Sequence, residues 1–138
     1  GQELVNLGNS KGLHVGCAPD TFLGAGIQEA KKIIDQNEIG KVNLGSISMG
    51  VAGHEIWHPN PDFYYKYGGG PILDMGPYYF TALVNLLGPA KNVFTQSRTV
   101  YQKRVIGSGD RQGQEIEVEI PTTLVSQIEF QNLSLIHI

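Results

Sequence analysis

Between Glu115 and Ile120 the chain reads Glu-Ile-Glu-Val-Glu-Ile, so Ile116, Val118 and Ile120 leave an extended backbone on one side and the three glutamates on the other. A strand with one wet face and one dry face belongs in an antiparallel sheet covered on one side, not in a parallel sheet buried on both. Asn92 to Val105 and Thr122 to Phe130 also read as strands, and the three segments together predict an antiparallel meander.

The covering layer is legible upstream. From Thr21 to Glu38, Ile27, Ala30, Ile33 and Ile34 recur at helical spacing while Glu29, Lys31, Lys32 and Asp35 fall elsewhere, with Asp20 or Thr21 as N-cap and Gly40 as stop. Ile72 to Leu87 gives a second helix that offers Leu73, Phe80, Leu83, Val84 and Leu87 to a core and closes at Gly88-Pro89. Inside it Gly76-Pro77 is locally unfavourable and predicts a kink or a later start; such a conflict often marks a functional site. Val42 to Val51 alternates as a strand whose phase changes near Gly45, which predicts a bulge there. At the start, Gln2 to Ser10 reads as a helix ended by Lys11-Gly12, and Leu13 to Cys17 as a buried strand leading into Ala18-Pro19-Asp20. The order predicts an α+β fold with a mostly antiparallel sheet and its helices on one face.

A chain of 138 residues can bury a core without disulfides or a structural metal. Its net charge of −3 gives no basic footprint for nucleic acid or an anionic membrane, and neither is expected as a partner. Cys17, the single cysteine, is expected to be a small buried residue. With no internal disulfide and no run of about 18 apolar residues, a reducing, cytoplasmic setting is expected. The sequence begins at Gly1 without a methionine, as though cut from a longer chain. Its last six residues, Leu133-Ser134-Leu135-Ile136-His137-Ile138, break the preceding rhythm and resemble the translation of a transposon end used in sequencing libraries; they are set aside as a non-native tail.

The long connection from Gly53 to Gly70 opens with His54-Glu55-Ile56-Trp57-His58, a literal H-E-x-x-H. That spacing holds zinc when both histidines share one helical face and the glutamate polarises the metal-bound water. Here Pro59 disfavours the α conformation at His58, Pro61 repeats the obstacle, and the segment before Gly53 alternates as a strand. The stretch reads as a loop with no metal; its histidines either make ordinary polar contacts or face a ligand. Farther on, Gly68-Gly69-Gly70 permits close approach by another group and Pro71 suits a helix start. Asp74 and Tyr78, four apart, share one face of a continuous helix, where they either frame a site or support packing and the helix dipole. Gly107 to Gly113 lacks the G-x-G-x-x-G spacing and reads as a hairpin loop; Gly24-Ala25-Gly26 also fails that spacing, so no dinucleotide fingerprint is present.

Gly16-Cys17-Ala18-Pro19-Asp20-Thr21-Phe22-Leu23-Gly24, Asn37-Glu38-Ile39-Gly40-Lys41-Val42, the loop from His54 to Tyr65, and Gly68 through Tyr79 together resemble the Gfo/Idh/MocA family of NAD(P)-dependent sugar oxidoreductases. The resemblance spans roughly residues 1 to 132, and its specificity lies in the order and spacing of the motifs. It implies that residues 1–19 are the last helix and strand of a Rossmann domain and residues 20–132 most of a C-terminal α/β domain for substrate binding and oligomerisation, with 133–138 the tail. It further implies NAD or NADP as cofactor, with most of its site in the preceding domain, a sugar or polyol substrate, and a homo-oligomer formed through the sheet.

The family's D-x-x-x-H motif maps onto Asp74 and Tyr78, with tyrosine in place of histidine. By that resemblance Tyr78 is the acid/base group or hydrogen-bond donor and Asp74 orients the substrate hydroxyl or the phenol. A phenol ordinarily ionises near pH 10, so a cation from outside this stretch would have to assist it. His54, Trp57 and His58 then border the sugar, and Pro19 and Asp20 lie on the cofactor side. A non-catalytic homologue that binds sugar or assembles through the same sheet is the alternative, and an H-E-x-x-H zinc hydrolase is a remote one.

Overall fold

The computed structural model describes residues 1–131 and the backbone of Leu135–His137. Its strands are β1 (Leu44–Ser46), β2 (Ala90–Arg98), β3 (Lys103–Val105), β4 (Glu115–Glu117), β5 (Thr123–Phe130) and β6 (Leu135–His137). Its helices are α1 (Gln2–Ser10), α2 (Ala25–Asp35), α3 (Asp62–Tyr65), α4 (Pro71–Asp74) and α5 (Gly76–Leu87), with 3-10 turns at Thr21–Leu23 and His54–Ile56. The predicted α+β class holds: β2–β5, β5–β6 and β3–β4 pair antiparallel, while β1 runs parallel to β6.

The strands divide into a sheet of order β1-β6-β5-β2 and a separate β3–β4 hairpin. The simple meander is therefore corrected, because β2 pairs with β5 across the inserted hairpin, Val93 opposite Ile128 and Phe94 opposite Gln127. One sheet face is covered by α5, whose Leu83 and Leu87 pack with Ile128 and Phe130 among Val42, Ile47, Phe80 and Leu86. Each such side chain contributes about 1.5–3 kcal/mol on full burial. Outside α5 lies α2, with Ile27, Ala30, Ile33 and Ile34 half-buried as their spacing predicts. A second core forms under the hairpin from Tyr64, Tyr65, Ile106, Ile116 and Val118. The glutamate-alternating segment thus buries the predicted face, but against the long connection instead of the main helices.

Several local expectations change. The segment Leu13–Cys17 is exposed and no strand forms, since it has no neighbouring strand among the described residues; Cys17 is exposed rather than buried. The helix expected from Thr21 begins at Ala25 with Gly24 as N-cap, because the first residues form a 3-10 turn, and it ends at Asp35. The bulge at Gly45 is absent from the regular β1–β6 register. Its hydrophobic residues part instead: Leu44 is 71% and Val51 64% exposed, while Val42, Ile47 and Met49 are half-buried. The helix over 72–87 does break at Met75, before Gly76-Pro77, as the local conflict predicts. The segment 133–138, set outside the fold by the sequence reading, supplies Leu135–His137 as β6, whose backbone pairs on both sides; Leu133, Ser134 and Ile138 lie outside the described residues. No helix among the described residues is long and apolar enough to cross a membrane.

Candidate functional site

Three glycines in a row let the connection turn back against itself. Gly68 and Gly70 have φ of 92° and 86°, a region unfavourable to other residues, and a side chain on Gly69 would strike the carbonyl of Phe63. Pro71 then starts α4 at its first turn, where its missing N–H costs nothing. The result brings Asp74, at the end of α4, to His54: its Oδ2 lies 3.5 Å from Nε2.

At the other end of the connection, His54-Glu55-Ile56 forms a 3-10 turn and not the α-helix that H-E-x-x-H zinc binding needs. The Glu55 side chain points inward, and the residue is only 5% exposed. It accepts hydrogen bonds from the Tyr65 hydroxyl and from Arg104 Nη1, the latter at 2.9 Å. Gly53 at φ 137° is required beside it, since a Cβ there would overlap the Glu55 carboxylate. Burial, followed by the Glu55 hydrogen bond and charge, pushes the Tyr65 phenol well above its usual range. The glutamate that would have polarised a metal-bound water is thus committed to an internal ion pair.

The β3–β4 hairpin fixes this connection at two places. Near its start, Gly107 N–H donates to the Glu55 carbonyl at 2.7 Å, and Arg104 Nη1 also donates to the Ala52 carbonyl at 3.0 Å. At the hairpin tip, Arg111 grips Asp62 with Nη1 at 2.6 Å and Nη2 at 3.1 Å, a two-pronged geometry suited to guanidinium and carboxylate. The Arg111 hydrogen bond holds the Asp62 carboxyl below its usual range.

Between these anchors the aromatic residues gather. The His54 ring stacks on Tyr64 with centroids 3.8 Å apart and lies 5.2 Å from the Trp57 ring. Trp57 meets His58 edge-on at 5.4 Å and is 62% exposed. His58 Nδ1 accepts the Asn60 N–H at 3.1 Å. Burial, then the charges of Asp74 and Glu55, raises the Tyr64 phenol above its usual range. His54 Nδ1 is buried without a hydrogen-bond partner among the described residues.

The structure therefore brings His54, Trp57, His58 and Asp74 together. Tyr78 lies in the first turn of α5, 39% exposed, one helix on from Asp74 at the end of α4, with Met75 in helical geometry between the two elements. Pro19, preceded by a cis peptide, is half-buried, and Asp20 is exposed just before the Thr21–Leu23 turn that packs on α5. The described residues form no dinucleotide cradle: Leu13–Cys17 is not a strand, and no glycine-rich turn joins a strand to a helix there.

Sequence reasoning missed Glu55, Tyr64, Tyr65, Arg104, Asp62 and Arg111 as the framework of this site. One signal was present. Arg104 shares strand parity with Ile106, which is fully buried, and a guanidinium in an inward register calls for an acidic partner.

The chain resembles solved structures over nearly its whole length. It superimposes on the WlbA dehydrogenase from Bordetella pertussis, solved with NADH and UDP-GlcNAcA, with a TM-score of 0.77 at 16% identity, covering 99% of this chain and 36% of that one. For the super-repressor mutant of Gal80p from Saccharomyces cerevisiae the TM-score is 0.79 at 16% identity, with 99% and 37% covered. An NAD binding oxidoreductase from Klebsiella pneumoniae gives 0.75 at 20%, with 99% and 36% covered. The chain thus spans a little over a third of the length of these proteins, and at such identities the likeness shows the fold. No curated protein sequence matches it. The family model for the GFO/IDH/MocA C-terminal domain matches residues 27–138, most of the chain, and the protein accordingly belongs to the Gfo/Idh/MocA family through that domain.

Proposed function

We propose that this chain is the substrate-side domain of an NAD(P)-dependent oxidoreductase acting on a sugar or polyol. The observation that carries the reading is the meeting of Asp74 with His54 at 3.5 Å beside the exposed Trp57 ring. A carboxylate, an imidazole and an accessible indole suit a polyol, which presents hydroxyls on its rim and C–H groups on its face. The UDP-GlcNAcA bound to WlbA supports a sugar-bearing substrate.

In this reading Asp74 accepts a hydrogen bond from a substrate hydroxyl and His54 holds a neighbouring one, while Trp57 and His58 border the ring. Tyr78 takes or returns the hydroxyl proton at its phenolic oxygen. A bound nicotinamide would supply the hydride acceptor or donor. Its cradle is not among the described residues, and Pro19 and Asp20 contribute no more than an edge on that side. The open face of the sheet, with Leu44, Phe94 and Val125 exposed, serves a homo-oligomer, and the setting is cytoplasmic.

In the enzyme that contains this domain, Tyr78→Phe should lower kcat by roughly 10²- to 10⁴-fold, as expected of an acid/base group. Trp57→Ala should mainly raise KM. An unchanged kcat in the tyrosine variant would reduce Tyr78 to packing. A non-catalytic assembly role is the rival reading, favoured by the fold likeness to Gal80p and the exposed apolar residues of the open sheet face. Oligomerisation that disappears in Phe94→Glu, with no turnover of any sugar by the enzyme containing this domain, would decide for it.

A further inference from the structure

The orientation of a functional histidine ring is ordinarily set by a hydrogen bond at the nitrogen that faces away from the chemistry. His54 has none there: its Nδ1 is buried without a partner among the described residues. Its Nε2 lies 3.5 Å from Asp74 Oδ2, too far for a direct hydrogen bond to hold the ring. Tyr64 does contact the ring face. The two rings stack with centroids 3.8 Å apart and planes 22° from parallel, whereas Trp57 is 5.2 Å away and tilted by 45°. Tyr64 is itself firmly seated, 4% exposed in the core beneath the β3–β4 hairpin. Tyr65 meets it edge-on with centroids 5.2 Å apart, and Tyr65 donates to the Glu55 carboxylate that Arg104 holds. The Tyr64 N–H donates to the carbonyl of Pro61 at 3.0 Å, and Pro61 is fully buried. The Tyr64 hydroxyl, by contrast, has no hydrogen-bond partner among the described residues. Burial, then the charges of Asp74 and Glu55, keeps it protonated, so what Tyr64 offers His54 is an uncharged ring face.

We infer that Tyr64 is a positioning residue of this site: its ring face, seated in the core beneath the hairpin, fixes the His54 imidazole with Nε2 toward Asp74. The inference rests on the reading of His54 and Asp74 as groups that hold a polyol. With the ring so fixed, the proton of the neutral imidazole belongs on Nε2. The other tautomer would bury an N–H without an acceptor and turn a lone pair toward the carboxylate. The pair then presents a donor and an acceptor 3.5 Å apart, with the Asp74 side chain 41% exposed. That arrangement suits two neighbouring hydroxyls, one accepting from His54 and the next donating to Asp74. A ring free to turn would lose the match.

Tyr64→Met tests this by removing the ring face while keeping an adaptable apolar filling, and Tyr64→Phe restores the face without the idle hydroxyl. The readout is long-range proton–nitrogen NMR of the His54 ring in this chain at about pH 8, above the usual histidine range. The parent and Tyr64→Phe should show the Nε2–H tautomer alone, with the ring protons shifted upfield by the stacked face. Tyr64→Met should show both tautomers and lose the shift. In the enzyme that contains this domain, kcat/KM should fall by about tenfold to a hundredfold in Tyr64→Met and recover in Tyr64→Phe. The parent and Tyr64→Phe spectra decide even where Tyr64→Met does not fold: ring protons at ordinary shifts, or both tautomers together, would overturn the assignment. An unchanged His54 spectrum in folded Tyr64→Met would overturn it as well. The expected spectra without turnover of any sugar would uphold the positioning and count against the polyol reading alone.

Discussion

Glu55→Ala tests whether the ion pair beneath the loop sustains the fold. The Glu55 side chain is 6% and that of Arg104 21% exposed, and Tyr65 is 1% exposed, so the alanine variant leaves a guanidinium without its counter-charge and a phenol without its acceptor in a dry setting. Breaking a buried pair by removing one member costs about 3–5 kcal/mol, and the partial exposure of Arg104 points to the lower end, about 3 kcal/mol. Over 138 residues the entropy of unfolding converts this into a fall in Tm of roughly 10 °C. The measurement is thermal and urea unfolding by circular dichroism at pH 7. Glu115→Ala on the same hairpin is the internal control, because its partner Lys103 is exposed and solvent screens the pair, so little stability rests on it. Replacing Glu55 and Arg104 together by Leu and Met should recover much of the loss, since no unpaired charge remains. A fall of less than about 3 °C in Glu55→Ala, or equal effects at Glu55 and Glu115, would refute the reasoning.

Phe130→Ala should cost about 3–5 kcal/mol in urea unfolding, as its side chain is 1% exposed against α5. The Asp62 carboxyl is held low in the folded state, so its stabilisation is present above the unfolded value near pH 3.9 and lost as pH falls through the folded one. Arg111→Ala should therefore flatten the acid side of a stability–pH curve below about pH 4. The Tyr65 phenol is raised, so the stability it lends is complete below about pH 10 and lost as pH climbs above it. Tyr65→Phe should lessen that alkaline loss in chemical denaturation.

Periodicity reads well where one side of an element alone decides its fate. Ile27, Ala30, Ile33 and Ile34 identify α2 because its packing repeats every turn, and Gly76-Pro77 announces the break between α4 and α5 because proline is disfavoured in a helix interior and suited to a first turn. Leu13–Cys17 misleads because a strand is a relation between segments, and its apolar character says nothing about the presence of a neighbour. Within the site, the prolines after His58 rule out a zinc helix from sequence, but no local pattern says that Glu55 turns inward. That depends on Arg104, which is 49 positions away along the chain. Spacing relates Asp74 to Tyr78, but no spacing rule says that Asp74 also meets His54 from the other end of the connection.

Fastening the connection at Glu55 and again at Asp62 has a consequence for how this protein can change. Between those points the exposed side chains, Trp57 first among them, hang between two clamps supplied by another part of the chain and bear little on the stability of the domain, whereas Pro61 is fully buried and belongs to the core. On the proposed reading, substitutions at those exposed positions alter what the rim recognises while the hairpin keeps the ends in place. If the rim binds substrate as proposed, selection for a new one would act first on those few positions, and grafting the exposed ones from a relative should transfer preference without refitting the core.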